Sequence, residues 1–463
     1  MSKRLLSLVA ALAFAGCASM APKYERPTAP VAPGFTNDTT PSGTRAAHDI
    51  EWQSYFADER LKRLIDVALK NNRDLRVAVL NIEQARATYG IRRADQWPTV
   101  NLGAAGTRGP SATTGNISTL YTVGLQVTAY ELDLFGRVRS LSDAALAQYL
   151  GTEEGRKAAQ ISLIASVANT YLALIADDEL LGLTRETLKT REESLKLAKL
   201  KFDNGASSEL DLRQNESLLE AARVTLAQFT RQRALDENAL TLLLGQAPPD
   251  DLPPPLAMSE QRLAIDLPSG LPSEVLTRRP DVRQAEQQLI AANANIGAAR
   301  ANFFPRISLT ASAGTASSEL SGLFKSGSSA WTFAPQIVLP IFDAGRNKAN
   351  LDVAQVNRDI AVAQYEKSIQ SAFREVQDAL AGRATLGEQA RAQLAQANAE
   401  QVRFKLADLR YKNGASSYLD VLDAQRSLFA SQQAVVQVQA AQVQNLVTLY
   451  KVLGGGWAEA VAK

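Results

Sequence analysis

Few residues in this sequence could carry catalytic or metal chemistry. The 463 residues include one cysteine, Cys17, and one histidine, His48, whereas metal and nucleophilic sites need clustered ligands at set spacings. The stretch "GPSATTG" lacks the lysine of a phosphate-binding loop, and "GGGW" is more typical of a helix stop. His48 lies in a polar linker bounded by prolines. The sequence therefore predicts no enzyme, with no catalytic residues, no metal and no cofactor beyond a covalent lipid.

Cys17 suggests a different chemistry, because it follows a secretory signal. "MSKR" is basic, and "LLSLVAALAFA" is an apolar segment of 11 residues, too short to span a bilayer as a helix. We predict a lipoprotein signal peptide over 1–16, diacylglycerol and N-acyl lipid on Cys17, and an extended linker over 17–50. Ala18 favours sorting to the outer membrane. The alternative is an ordinary signal cleaved near Ala18, because Phe14 stands where lipoproteins usually have leucine.

Charge and proline content point away from nucleic acids and towards long helices. Once Lys3 and Arg4 of the signal are set aside, 48 basic residues balance 48 acidic ones. A neutral chain gives no support to nucleic-acid binding. Proline is absent from 136–247 and from 343–453. Because proline interrupts helices, both stretches predict very long helices.

The chain repeats itself. "DNGASSELD" at 203–211 returns as "KNGASSYLD" at 412–420, 209 positions later. Upstream, "GIRRADQWP" aligns with "GAARANFFP" at an offset of 207, and the inserted pair Asp343 and Ala344 explains the difference. One insertion that accounts for both offsets predicts a tandem duplication.

The two repeats are predicted over 51–257 and 258–463. Each contains a helix, two strands and a long helical hairpin, and the second ends in a C-terminal equatorial segment. The predicted strands are ~98–107, ~117–131, ~305–315 and ~329–341, and the predicted hairpin tips are ~203–208 and ~412–417.

The strands alternate between apolar and small polar residues. In "PRISLTASAG", Ile307 and Leu309 alternate with serine and threonine, and in "ISTLYTVGLQVTA" the same period places Val127 and Ala129 on the apolar face. This period indicates half-buried strands. A soluble sandwich is one interpretation. The other is a transmembrane barrel with a wet lumen, which the aromatic residues near the strand ends favour.

Four strands cannot close a barrel, and open edges are not tolerated in lipid. A membrane barrel would therefore require several chains to pool their strands, and three copies would give twelve.

The helical stretches carry apolar residues at every seventh position. Such a spacing is typical of coiled coils. The two series are Leu181, Leu188, Leu195 and Phe202, and Leu422, Phe429, Val436, Val443 and Tyr450. Alanine fills many other positions, so that a helix could pack between two neighbours and build a cylinder. An extended antiparallel coiled-coil rod is the alternative.

The repeated turn joins the helices of each hairpin. Asn-Gly supplies the left-handed residue that ends one helix, and Ser207 or Ser416 is expected to cap the next.

Several segments together resemble a known family. They are "CASMAPKYERPTAPV", "RRPDVRQAEQQLIAANANIGAARANFFPRISLTASAG", "NGASSYLDVLDAQRSLF" and "LYKVLGGGW". Nearly the whole chain is similar to the outer-membrane factors of tripartite efflux systems, which are TolC/OprM-like channels, in their NodT-type lipoprotein branch. The resemblance implies a mixed α and β fold: a homotrimer whose long antiparallel helices form a periplasmic α-barrel, continuous with a 12-stranded outer-membrane β-barrel of four strands per chain.

The resemblance also implies partners and site residues. The partners would be a periplasmic adaptor protein, an inner-membrane pump of the resistance-nodulation-division (RND) type and outer-membrane lipid, with no nucleic acid. The periplasmic gate would comprise Leu419, Asp420 and Asp423, although Gln214 stands at the place of Asp423 in the first half. The adaptor-docking tips would comprise Asn204, Gly205, Ser207, Asn413, Gly414 and Ser416. The alternative for the two aspartates is that of ordinary acids at a helix N-terminus.

The function predicted is that of an exit duct in the outer membrane, lipid-anchored and extending into the periplasm, that passively conducts small molecules. Two alternatives stay open: a lipid-anchored periplasmic coiled-coil scaffold, and the exit duct of a type I secretion system. The sequence leaves the substrate undetermined.

Overall fold

The structure, a computed structural model, describes residues 19–35, 50–110, 115–261, 263, 267 and 273–457. Cys17, His48 and the predicted signal peptide lie outside the described residues. The chain divides into two units. Unit 1 contains Met1–Ala29, Leu80–Glu154 and Arg283–Ser368, and unit 2 contains Pro30–Val79, Gly155–Val282 and Ile369–Lys463.

Helices make up most of the described chain. They are α1 (Trp52–Tyr55), α2 (Glu59–Asn71), α3 (Arg73–Ala94), α4 (Arg137–Asp203), α5 (Glu209–Leu244), α6 (Pro280–Ala301), α7 (Arg346–Lys412) and α8 (Tyr418–Val452), with 3-10 turns at Met258–Glu260, Ser273–Arg278 and Leu320–Gly322. The two long helices, α4 and α7, have 67 residues each. One 18-residue window of α4 could cross a membrane by length and composition, and 56% of it is buried in the fold, as in a core helix.

The long helices begin just after a glycine in the left-handed region. Gly136 has φ 71° and Gly345 has φ 85°, so each ends the preceding segment and the helix starts one residue later. The Asp133 carboxylate accepts from the backbone of the first turn of α4 at 2.8 and 3.1 Å. The inserted Asp343 accepts from Asn347 N at 2.9 Å in α7. The insertion therefore supplies the second half with its own helix cap.

Unit 1 contains a four-stranded antiparallel sheet. Its strands are β1 (Val100–Pro110), β2 (Ile117–Leu132), β3 (Arg306–Ser317) and β4 (Ser329–Val338), in the order β1-β2-β3-β4. Directly paired residues lie on one face of the sheet, and the register pairs apolar with apolar: Leu102 with Leu125, Leu125 with Ala313, and Ala313 with Trp331. The apolar face is exposed, with Leu102 76% and Trp331 77% accessible.

The opposite face carries small polar residues. Gln126 pairs with Ser312, and Ser312 pairs with Thr332. Within the described residues, β1 and β4 each have one neighbouring strand, so the sheet has two open edges.

Three details of the strands differ from the sequence prediction. The alternation in β2 is interrupted between Val127 and Tyr130 by a bulge, where Ala129 has φ 52°. Tyr130, not Ala129, then pairs with Leu309 on the apolar face. β1 continues to Pro110, beyond ~107, whereas β4 ends at Val338, before ~341. Pro340 fits that end, because proline cannot donate a ladder hydrogen bond.

The core of unit 2 includes a cluster of aromatic rings. Tyr55 stacks on Tyr450 with centroids 4.0 Å apart, and Phe56 lies edge-on to both. The Tyr450 hydroxyl donates to Ile50 O, and the Tyr171 hydroxyl donates to the buried Asp58 at 2.9 Å. These bonds satisfy polar atoms that burial would otherwise leave unpaired.

Candidate functional site at the hairpin tips

Both hairpin tips have the same backbone geometry. At the first, Gly205 N donates to Phe202 O at 2.9 Å and Ala206 N to Lys201 O at 2.7 Å; at the second, Gly414 N donates to Tyr411 O at 2.9 Å and Ala415 N to Arg410 O at 2.8 Å. Gly205 has φ 66° and Gly414 has φ 72°. This is the Schellman ending of a helix, which favours glycine because other residues are strained there.

The asparagine before each glycine fastens its side chain to the helix it follows. Asn204 Nδ2 donates to Leu200 O, and Asn413 Nδ2 donates to Leu409 O, both at 2.7 Å. The repeated Asn-Gly thus has a local structural role at each tip.

The serine that begins the next helix is not the one predicted. Ser208, rather than Ser207, is the N-cap of α5 and forms a capping box with Asp211. Ser417, rather than Ser416, is the N-cap of α8, with no side-chain cap hydrogen bond. Each new helix thus begins one residue later than predicted. Ala206 and Ala415 complete the Schellman turns, and one further serine separates each of them from the N-cap.

The predicted docking residues differ in exposure. Asn204, Gly205, Asn413 and Gly414 are exposed, whereas Ser207 and Ser416 are half-buried. The Oγ atoms of both serines are buried without a hydrogen-bond partner within the described residues. Each tip therefore presents its Asn-Gly-Ala segment outward and turns the following serine inward.

The predicted gate residues lie in the first turns of α8 and in different environments. Leu419 is 54% exposed. Asp420 is exposed, and its backbone N–H donates to Ser417 O at 3.3 Å. Asp423 is held by two arginines, Arg403 at 2.5 Å and Arg426 at 3.3 Å.

The two arginines determine the electrostatics around Asp423. Hydrogen bonds to Asp423 and then to Glu400 raise the pKa of Arg403. The charge of Asp423 is therefore partly neutralised within its own chain. The sequence prediction did not include Arg403 or Arg426; Arg426 lies three residues after Asp423, a helical spacing that could have indicated it.

A second contact set joins the two hairpins just above the tips. Lys201 Nζ donates to the Tyr411 hydroxyl at 2.8 Å and lies 4.7 Å from the centre of its ring. The Tyr411 ring is 4.8 Å from that of Tyr418, whose hydroxyl donates to Asn215 Oδ1 at 2.9 Å. We call Lys201, Tyr411, Tyr418 and Asn215 the tip latch. It connects α4, α7, α8 and α5.

The repeat itself could have indicated the tip latch. Phe202 and Glu209 stand in the first half where the second has Tyr411 and Tyr418. A departure from an otherwise close repeat marks positions that are not equivalent.

The N-terminal segment is fastened along α6 in unit 1. Asn293 Nδ2 donates to Pro22 O at 2.7 Å, and Arg300 Nη1 donates to Met20 O at 3.2 Å. Arg26 binds the buried Glu286 through two nitrogens at 2.7 and 3.0 Å. Burial and then the bond to Glu286 raise the pKa of Tyr24. Ser19, the first described residue, lies 3.4 Å from Ser140, in the first turn of α4.

A charged cluster lies where the sheet meets the helices of unit 1. Glu131 accepts two hydrogen bonds from Arg137, both at 2.7 Å, and forms an ion pair with Arg306 at 3.3 Å. It borders an open cavity of about 600 Å³ that Gln336 and Arg346 also line. The charge of Arg306 thus has a partner in Glu131.

Comparisons with known proteins define the class of this fold. The outer membrane efflux protein family matches residues 64–246 and again residues 271–455. The chain belongs to this family, so the resemblance seen in the sequence is confirmed.

Particular relatives are similar over their full lengths. The chain is 51% identical to the solvent efflux pump outer membrane protein SrpC of Pseudomonas putida, covering 99% of each chain, and 46% identical to outer membrane protein OprJ of Pseudomonas aeruginosa, covering 98% and 96%. The structure matches the open state of the Neisseria gonorrhoeae MtrE outer membrane channel with a TM-score of 0.87 at 45% identity, over 95% and 99% of the two chains.

The predicted role and location are likewise confirmed. The chain is an outer-membrane channel that serves as the exit duct of an efflux pump, and its family is one of channels rather than of enzymes.

Proposed function

We propose that three copies of the chain form the duct, each contributing four strands to a twelve-stranded barrel. The open four-stranded sheet carries this proposal: its apolar face is exposed and its edge strands β1 and β4 each lack a second neighbour among the described residues. The exposed apolar face is unfavourable in water, and the open edges are unfavourable in lipid unless they pair between chains. The polar face would then line the lumen.

The test is native mass spectrometry of detergent-purified protein, together with amide hydrogen exchange of β1 and β4. We expect a three-chain mass and slow exchange of both edge strands. A one-chain mass with protected edges would instead favour the soluble scaffold.

The helical part of the duct would arise from the duplication. We infer that the two halves descend from one repeat, which the two separate family matches support. Three chains with two hairpins each would present six tips. The exposed Asn-Gly-Ala segments at both tips support docking of a periplasmic adaptor, with an RND pump beyond it.

Leu419, Asp420 and Asp423 would close the periplasmic end. Leu419 offers an exposed apolar side chain for a plug, and Asp420 an exposed carboxylate for cation preference. Replacing Asp423 with alanine frees Arg403 and Arg426. We expect Asp423→Ala to change the conductance and cation preference in planar bilayers, and Gln214→Ala, at the equivalent position of the first half, to change neither. Identical behaviour of the two variants would remove Asp423 from the gate.

Cys17 would carry the lipid anchor. Ser19, two residues later, lies at the first turn of α4, only a few residues from the end of β2. An acyl chain on Cys17 would thus start close to the strands that enter the bilayer. The intact mass of the purified chain should show the acyl groups, and Cys17→Ser should lose them. An unmodified mass in the wild type would exclude the anchor.

The substrates would be small apolar compounds and drugs. Related outer membrane proteins are named for solvent, toluene and antibiotic efflux pumps. The chain carries no energy source in this proposal and conducts passively what the pump delivers. Expression in a strain that lacks its own exit duct, together with a matching adaptor and pump, should restore growth in toluene. Failure in the presence of a correctly assembled trimer would redirect the search to other substrates.

A further inference from the structure

The two hairpins of one chain pack together through a defined set of side chains near their tips. The hydroxyl of Tyr418, the first residue of α8, donates to Asn215 Oδ1 in α5 at 2.9 Å and lies near Ser194 in α4. Further along the same pair of helices, Arg191 of α4 lies 5.2 Å from the centre of the Phe429 ring of α8. The seam within one chain is therefore formed by α4 and α8.

The internal repeat relates this seam to surfaces that one chain leaves open. Residues 209 positions apart have the same place in their hairpins, as the matching tip hydrogen bonds establish. If each seam residue is replaced by its counterpart in the other hairpin, the contact between α4 and α8 becomes a contact between α7 and α5. The second hairpin of one copy would thus meet the first hairpin of the next copy through α7 and α5.

The counterparts at the key contact carry opposite charges. Ser194 corresponds to Arg403 of α7, and Tyr418 corresponds to Glu209 of α5. Lys201 and Tyr411, the cation and ring of the tip latch, correspond to Arg410 and Phe202. A neutral contact within one chain becomes an acid facing an arginine between two chains. The cation–ring pair of the tip latch has a cation–ring counterpart in Arg410 and Phe202.

All the side chains concerned are accessible in one chain. Glu209 is 65% exposed and Arg403 is 48% exposed; Arg410 is exposed, and Phe202 is 37% exposed. Their contacts within the chain are surface pairs: Glu209 lies 3.1 Å from Arg213, and Arg403 lies 2.5 Å from Asp423. Exposed ion pairs of this kind contribute little to the free energy of folding, so these side chains can take other partners at little cost.

The neighbouring positions are compatible with this arrangement. Arg191 and Phe429 correspond to Glu400 and Glu220, which are like-charged. Each already has an arginine within its own chain: Arg403 lies 3.1 Å from Glu400, and Arg223 lies 2.7 Å from Glu220. Acidic and basic side chains would therefore alternate along the seam between copies.

We propose that Glu209 of one copy binds Arg403 of the neighbouring copy, with Arg410 of that neighbour lying over the same copy's Phe202. The partner is a second copy of this chain, and the inference rests on the homotrimer proposed above. In this arrangement Arg403 and Arg410 both contact the neighbouring copy, close to the acids of the proposed gate. The arrangement also makes the contact specific to one order of hairpins around the duct.

Cysteine cross-linking tests the pairing directly. The variant Glu209→Cys, Arg403→Cys is purified as the full chain and treated with a short bismaleimide, then separated under denaturing conditions. We expect products of two- and three-chain mass. The matched control is Ser194→Cys, Tyr418→Cys at the equivalent seam, which should cross-link at one-chain mass only.

Two further controls set the background. The wild type reports any reaction of Cys17. The variant Glu209→Cys, Arg391→Cys moves the α7 partner 12 residues along the chain, about 18 Å on a helix, and should give no multi-chain product. A one-chain product from Glu209→Cys, Arg403→Cys, in protein whose native mass is that of a trimer, would overturn the pairing and leave the trimer standing. A native mass other than three chains would instead overturn the proposed assembly.

Charge reversal gives an independent readout. Glu209→Arg and Arg403→Glu should each raise the bilayer conductance several-fold, because each places like charges at the seam. The double reversal should return the conductance towards that of the wild type. Additive effects of the two reversals would contradict a direct pair.

Discussion

At the scale of single residues, the fold contains a carboxyl group whose ionisation burial opposes. Burial, followed by contact with Asp236 and the charge of Asp178, raises the pKa of Asp177 to about 7, while Arg233 acts in the other direction. The side chain is 6% exposed, and its Oδ2 atom has no hydrogen-bond partner within the described residues. The folded state therefore binds a proton that the unfolded chain releases near pH 4.

The sign of the pH dependence follows from this shift. Because the folded pKa is raised, the free energy of unfolding is largest below about pH 4 for this group and falls as the pH rises towards 7. We expect the apparent unfolding temperature in detergent to be lower at pH 8 than at pH 5, and Asp177→Asn to remove much of the difference. Glu193→Gln, an exposed acid on the same helix, is the control. An equal pH dependence in Asp177→Asn and the wild type would exclude this role.

The tip latch gives a second prediction at this scale. Tyr411→Phe keeps the ring beside Tyr418 but removes the hydroxyl that accepts from Lys201. Loss of this bond loosens the contact between the hairpins by about 1 kcal/mol, so we expect more frequent openings in single-channel recordings. Lys201→Met should act in the same direction. If Tyr411→Phe had wild-type opening statistics while Lys201→Met did not, the cation–ring contact alone would be the effective part.

At the scale of elements, the sequence was sufficient where local chemistry decides the structure. The proline-free stretches from 136 and from 343 predicted the long helices, which begin one and three residues later, at Arg137 and Arg346, because helix ends depend on the nearest backbone groups. Strand faces followed from a period of two. The bulge at Ala129 was missed, because which residue leaves the ladder depends on the partner strand, β3. The contacts of Arg403 and Lys201 were missed for a similar reason, since each joins helices distant in sequence.

The sheet itself provides a prediction about an element. Gly124 and Gly314 are paired across β2 and β3, and a Cβ on Gly314 would lie 2.1 Å from Val123 O. A Cβ on Gly124 would lie 2.5 Å from Ala313 O. Because the opposing atoms are backbone, the strands must separate to admit a methyl group. We expect Gly314→Ala to lower the yield of assembled trimer and its unfolding temperature.

Gly109 in β1 is the matched control, because a Cβ there meets nothing within 4 Å. Gly109→Ala should assemble like the wild type. Normal assembly of Gly314→Ala would mean that the close approach of the two strands is not required in the barrel.

At the scale of the whole molecule, retention in the outer membrane has two independent sources in this proposal, a covalent lipid on Cys17 and a barrel of pooled strands. A diacylglyceryl group together with an N-acyl chain is enough for stable anchoring, and a closed barrel buries its apolar face in lipid and leaves no edge unpaired. Either source should therefore hold the chain in the membrane, and the barrel alone should suffice once it has formed. We expect Cys17→Ser to leave less protein in the outer membrane, because the anchor brings unassembled chains to the bilayer. The portion that arrives should resist carbonate extraction as fully as the wild type. Gly314→Ala should show the opposite behaviour, with acylated chains that stay in the membrane without forming trimers, and only the double variant Cys17→Ser, Gly314→Ala should be extracted by carbonate. If Cys17→Ser were fully extractable, the strands would not form a closed barrel and the lipid would be the sole anchor.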